Sequence, residues 1–225
     1  SMRPYFLLSL LPFHQSLKLF QTNPSAGRSS KAVPSASPLS KHLDTAKRLE
    51  DAGASALVMY SLFEEEVRHD DDMLDEYFFH QDIGHLEASS YRPLPDDHPS
   101  AIDRYIEQIH KLKESLEIPI IASLNGVTHG GWTEHAQELQ VAGADALELN
   151  VYYIAADPDT SGEEVENRYL QLLTDLRQHV SVPITMKLSS QFSSVANMVL
   201  KLQQAGAHGQ LVSVEEEPGG AQLQG

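Results

Sequence analysis

The sequence predicts an α/β fold in which strands and helices alternate, and two repeated phrases at matched distances predict it. The first phrase is Ala-Gly-Ala followed by an apolar run. It occurs as Ala52-Gly53-Ala54 before Ala56-Leu57-Val58-Met59, as Ala142-Gly143-Ala144 before Ala146-Leu147-Glu148-Leu149, and as Ala205-Gly206-Ala207 before Leu211-Val212. The second phrase is an aliphatic residue, a proline and a strand-like run. It occurs as Ile118-Pro119-Ile120-Ile121 and as Val182-Pro183-Ile184-Thr185-Met186. Pro119 stands 64 positions before Pro183, and Gly143 stands 63 before Gly206. Self-similarity on this scale means one structural unit copied several times.

Each phrase has a physical reading. Glycine just past a helical pattern takes the left-handed conformation that ends the helix. Proline at the first position of a strand stops the preceding helix without costing a ladder hydrogen bond. The short aliphatic runs that follow are buried strands. This places strands at 32–36, 56–60, 120–124, 146–151 and 184–188, with a weaker one at 210–214. Amphipathic stretches at 102–116, 133–141, 165–180 and 195–204 are of helical length. Strand, helix, strand, helix implies parallel strands joined by right-handed crossovers. A doubly wound sheet uses the same units, but the glycine signatures of dinucleotide and phosphate loops are missing. The prediction is a (β/α)8 TIM-barrel type with about six of its eight units present.

Composition bounds the function. The 225 residues suit one domain, and 41% hydrophobic residues suffice for a core. With no cysteine, disulfides, thiolate metal sites and a cysteine nucleophile are excluded. A net charge of −16 argues against nucleic-acid and anionic-membrane partners. The expected partners are a small-molecule substrate and a second copy in a homodimer. Residues 1–43 lack Asp and Glu. Such a stretch resembles an organellar leader or an atypical start, so the chain divides into a leader at 1–31, a barrel domain at 32–209 and a tail at 210–225. The expected location is the cytoplasm, with organellar import as the alternative.

Four strand ends carry a family likeness. They are Val33-Pro34-Ser35-Ala36-Ser37-Pro38, Ile120-Ile121-Ala122-Ser123-Leu124-Asn125-Gly126, Leu147-Glu148-Leu149-Asn150-Val151 and Pro183-Ile184-Thr185-Met186-Lys187-Leu188. In this order they resemble the dihydroorotate dehydrogenase-like family of FMN-binding barrels. The resemblance implies a flavin oxidoreductase that transfers hydride to or from a small ring substrate. It implies that Ala36 and Ser37 touch FMN, and that Asn125 and Asn150 present amides to flavin or substrate. It places Lys187 beside the flavin edge that gains negative charge on reduction, where an ammonium is stabilising.

The departures point elsewhere. Where the family carries its Cys or Ser base, this chain has Tyr153, a plausible proton donor. Where the family has a lysine after its second strand, Tyr60 stands. The tail Glu215-Glu216-Glu217-Pro218-Gly219-Gly220 lacks a phosphate-cradling loop, which predicts weak FMN binding or none. Two other readings therefore stand beside the flavoenzyme. One is a catalytically inactive truncated barrel. The other is a flavin-free barrel lyase or isomerase in which Lys187 forms a Schiff base. The charged, histidine-bearing stretch 64–98, with Tyr77-Phe78-Phe79 inside it, reads as a long loop or lid over the barrel mouth. Its spacing fits no metal-ligand pattern. Thr128-His129-Gly130-Gly131-Trp132 reads as a structural turn.

Overall fold

The computed structural model describes residues 6–7, 38–67, 99–126, 129–151, 153, 155–189 and 192–212. Within them one sheet holds β1 (Phe6–Leu7), β2 (Leu57–Phe63), β3 (Ile120–Gly126), β4 (Ala146–Val151), β5 (Ile184–Leu188) and β6 (Gly209–Val212). The helices are α1 (Leu43–Asp51), α2 (Ala101–Ser115), α3 (His129–Val141), α4 (Gly162–His179) and α5 (Val195–Gln204), preceded by a 3-10 turn at Pro38–Lys41. The spatial order is β1-β6-β5-β4-β3-β2. Strands β2 to β6 are parallel, each beside its successor. Strand β1, from the stretch read as a leader, lies antiparallel on β6 and pairs Phe6 with Val212.

The repeated phrases act as read. Gly53, Gly143 and Gly206 all have positive φ, between 92° and 106°. In each case the glycine N–H bonds back to the third residue before it, and the next alanine N–H bonds to the fifth residue before itself, as in Ala144 to Leu139. That double closure satisfies the last carbonyls of α1, α3 and α5. The prolines work as strand leads. The Pro119 carbonyl accepts from Leu57 N–H and the Pro183 carbonyl from Leu147 N–H, so each lead registers the neighbouring strand. At the other ends, Ser100 and Ser161 form capping boxes with Asp103 and Glu164.

Packing decides between the two α/β architectures. The main core joins one face of β2–β5 (Leu57, Ile120, Ala122, Leu147, Leu149, Ile184, Met186) to α2–α5, through residues such as Tyr105, Ile109, Leu139, Leu173 and Leu202. The other face carries only a small apolar patch, Ala56, Val58, Ile121 and Ala146, with no helical residue in it. Among the described residues the helices lie on one face only, which is the barrel arrangement, whereas a doubly wound sheet is covered on both. The fold is α/β with a parallel sheet, and the described residues make up part of a barrel of β/α units.

Boundaries moved in places. Strand β2 runs three residues beyond the expected 60, and α3 begins at His129, so the glycine pair expected in a turn forms the first turn of that helix. Beside this turn a Cβ on Gly126 would lie 2.9 Å from the ring of buried Trp132, so strand and helix close up there without one. The expected strand 32–36 lies outside the described residues, as does the stretch 64–98 read as a loop or lid, except for 64–67, which form a helical turn directly after β2.

Candidate active site

The helix-free face turns polar toward the C-terminal ends of the strands, the end where barrels keep their chemistry. A bulge in β2 begins this change. Val58 pairs with Ile121 and Ser61 with Ser123, so β2 uses one residue more than β3 over the same rise. The extra residue keeps both Val58 and Ser61 on the inner face. Buried Tyr105 of α2 stands in for lost ladder partners. Its hydroxyl donates to the Tyr60 carbonyl at 2.9 Å and accepts from Ser123 N–H at 2.9 Å. Burial raises the Tyr105 pKa far above that of a free phenol, so the group stays neutral.

Beyond the bulge, side chains of neighbouring strands meet. Ser61 Oγ and Ser123 Oγ are 3.1 Å apart, and Ser123 Oγ donates to Glu148 Oε1 at 3.2 Å. Asn150 Nδ2 donates to Ser123 Oγ at 2.9 Å and lies 3.4 Å from the Leu124 carbonyl. Glu148 and Asn150 share a face because side chains alternate along β4. Each is only 2% exposed. On the other side, β5 sets Thr185 against Glu148 and Lys187 against Asn150.

The electrostatics follow from burial. Glu148 loses water, which pushes its carboxyl pKa up; the Lys187 charge and hydrogen bonds from Ser123 and Asn150 offset part of that. The site therefore holds a carboxyl that keeps its proton to higher pH than an exposed glutamate, beside a half-buried amine.

The residues named from sequence fall in three places. Lys187, Asn150 and Asn125 come together: Asn125, half-buried at the end of β3, is the register partner of Asn150. Tyr153 stands just past β4 with the Arg168 guanidinium 4.5 Å over its ring, against α4. Tyr60 is packed edge-on against Tyr105, with centroids 4.9 Å apart. Ala36 and Ser37 lie outside the described residues, as do all four histidines of 64–98. Glu148, Ser61 and Ser123 were missed, although the alternation in Ala-Leu-Glu-Leu-Asn put Glu148 beside Asn150 on the inner face. A recess lined by Leu62, Glu64, Trp132 and His135 also reaches Asn125 at the end of β3. No group of three or more metal-ligating side chains exists among the described residues. Nor is any described helix long and apolar enough to cross a membrane.

No family model matches the chain, and no curated protein matches it. Solved structures do. One is a provisionally assigned dihydrodipicolinate synthetase from Pseudomonas aeruginosa, 15% identical, covering 73% of this chain and 45% of that one, with a TM-score of 0.44. Another is a provisionally assigned phosphonomutase from Burkholderia cenocepacia, 14% identical, covering 75% and 64%, with a TM-score of 0.43. A third is a phosphonopyruvate hydrolase in complex with oxalate and Mg++, 14% identical, covering 78% and 55%, with a TM-score of 0.44. The chain spans about half to two thirds of the length of these structures.

These findings correct the flavoprotein reading. None of the three is described as a dihydroorotate dehydrogenase, and no family match ties the chain to that family. FMN and flavin-mediated hydride transfer are withdrawn. The physical reason lies in β4. Asn150 Nδ2, the donor offered to flavin, is spent on Ser123 within the sheet's own polar network, which leaves only the Oδ1 acceptor. The four strand-end motifs are short apolar runs ending in small or polar residues, which any β/α barrel strand can carry.

Proposed function

We propose that this chain carries the active face of a flavin-free barrel lyase or isomerase, with Lys187 as nucleophile and Glu148 as acid. The observation that supports it best is a buried, proton-retaining carboxyl beside an amine at the C-terminal ends of adjoining parallel strands. Deprotonated Lys187 Nζ adds to a substrate carbonyl carbon, giving a carbinolamine. Glu148 then donates its proton to the hydroxyl, which leaves as water. The products are a protonated imine on Lys187 and a Glu148 carboxylate, so charge separates across neighbouring strands and each partner offsets the other. The imine then withdraws electrons from the adjacent carbon, the requirement shared by carbon–carbon cleavage and by isomerisation. Tyr153 is given no part in this step.

The test is reductive trapping. Borohydride added to the protein with a small aldehyde should leave a stable adduct on Lys187, located by peptide mass spectrometry, and Lys187→Arg should remove it. Equal labelling of Lys187 and of exposed Lys111, which stands 53% exposed on α2, would sink the reading.

A further inference from the structure

One buried atom in this cluster has no partner among the described residues: Asn150 Oδ1 is fully buried and accepts no hydrogen bond from them. The amide orientation is fixed by its other end, since Nδ2 faces the Ser123 hydroxyl and the Leu124 carbonyl, and only an N–H can face a carbonyl. Both of those partners belong to β3, so Oδ1 is turned from β3 and toward the β5 side, where Lys187 is the register partner of Asn150. A buried acceptor left empty costs free energy comparable to a lost hydrogen bond. Ser61 and Ser123 are bonded to each other, and Ser123 serves Glu148.

We infer that Asn150 Oδ1 is a substrate-binding acceptor, and that the substrate class is the α-hydroxy carbonyl compounds. This rests on the proposed attack by Lys187. With the carbonyl carbon at Lys187, a hydroxyl on the next carbon donates to Asn150 Oδ1. Glu148, one alternation deeper on β4, remains on the oxygen that leaves as water. A simple aldehyde satisfies Lys187 and leaves the acceptor empty. A methyl ether on the same carbon brings an oxygen but no proton, and so also leaves it empty.

Three probes separate these cases: glycolaldehyde, methoxyacetaldehyde and acetaldehyde, each with borohydride on the full chain. Labelling at Lys187 is divided by labelling at Lys111 in the same sample, which cancels the differing intrinsic reactivity of the aldehydes. Glycolaldehyde should give a ratio about tenfold above either of the others, the worth of one hydrogen bond to a buried acceptor. Asn150→Leu, provided its circular dichroism is unchanged, should bring the three ratios together. Lys187 labelled above Lys111 by all three aldehydes alike would overturn this assignment and leave the Schiff-base reading intact. No preference for Lys187 with any probe would overturn both.

Discussion

The starts of β4 and β6 solve one problem with different residues. Two positions after Gly143, Asp145 accepts Ile120 N–H at 2.8 Å and binds Lys113 Nζ at 2.7 Å. Two positions after Gly206, His208 accepts Ile184 N–H at 3.3 Å and faces Arg177. Lys113 and Arg177 both stand six positions before a strand-leading proline. A second set of side chains reaches further. Glu50 Oε1, three before Gly53, accepts the N–H groups of Glu117 and Ile118 ahead of β3. Gln140 Oε1, three before Gly143, accepts those of Ser181 and Val182 ahead of β5. Gln203 holds the same place before Gly206, and no lead of that kind meets it among the described residues. The copied unit is thus two strands and two helices long. Its latch spans one strand to hold the lead of the next, and among the described residues the middle of the sheet is latched while the β6 side is not.

The strongest way to break the latched middle is at its bulge. Tyr105→Phe removes the only side-chain hydroxyl bridging Tyr60 C=O and Ser123 N–H, both within the buried β2–β3 joint. Two backbone groups lose a partner, at roughly 1–3 kcal/mol each. We expect a loss of about 2–6 kcal/mol in urea unfolding at nearly unchanged m. A loss below about 0.5 kcal/mol would mean that water enters the bulge and that the joint is looser than the packing implies.

The latches themselves come next. Glu50→Ala and Gln140→Ala each strip an acceptor from two consecutive N–H groups, and should cost about 1–3 kcal/mol, with the charged Glu50 the larger. Gln203→Ala should stay within about 0.5 kcal/mol, as surface changes do. Thermal unfolding of the three variants side by side reads the contrast directly. Should Gln203→Ala cost as much as Gln140→Ala, some further segment sits on that side chain and the β6 side is latched too.

Much of this was legible in the sequence because it is local. Three glycines and two prolines mark helix ends and strand starts by backbone sterics alone, and β4, β5 and α5 fell where the pattern put them. The bulge was not legible, since it depends on how Ser61 must face Ser123 across 62 positions of chain. Nor was the latch, because Glu50 and Gln140 read as ordinary polar residues at helix ends until their distant N–H partners are in place. The candidate site divided likewise. Lys187 was named through the family resemblance of its strand end. Glu148 needed the further step of following alternation along β4, and the flavin assignment drew attention away from it.

The smallest expected effect tests the difference between Asp145 and His208. Burial first, and the Arg177 charge second, hold the His208 pKa below the usual histidine value. A histidine whose folded pKa is depressed contributes stability that is fully present above its unfolded pKa of about 6.5 and is lost as pH falls through the folded value. The sign follows from the contact: neutral Nδ1 accepts the Ile184 N–H, and protonation both removes that acceptor and sets two positive charges together. His208→Asp transplants the β4 solution. The carboxylate keeps the backbone acceptor and gains Arg177 as a counter-ion, at a half-buried position where such pairs are worth about 0.2–1 kcal/mol. We expect the variant to be slightly more stable at pH 7, and its midpoint to fall less than that of the parent between pH 7 and 5, since aspartate titrates near 4 or below. Parallel pH profiles for parent and variant would show instead that His208 never loses its neutral form in this window, and that the β6 joint is as secure as the β4 joint despite its different residues.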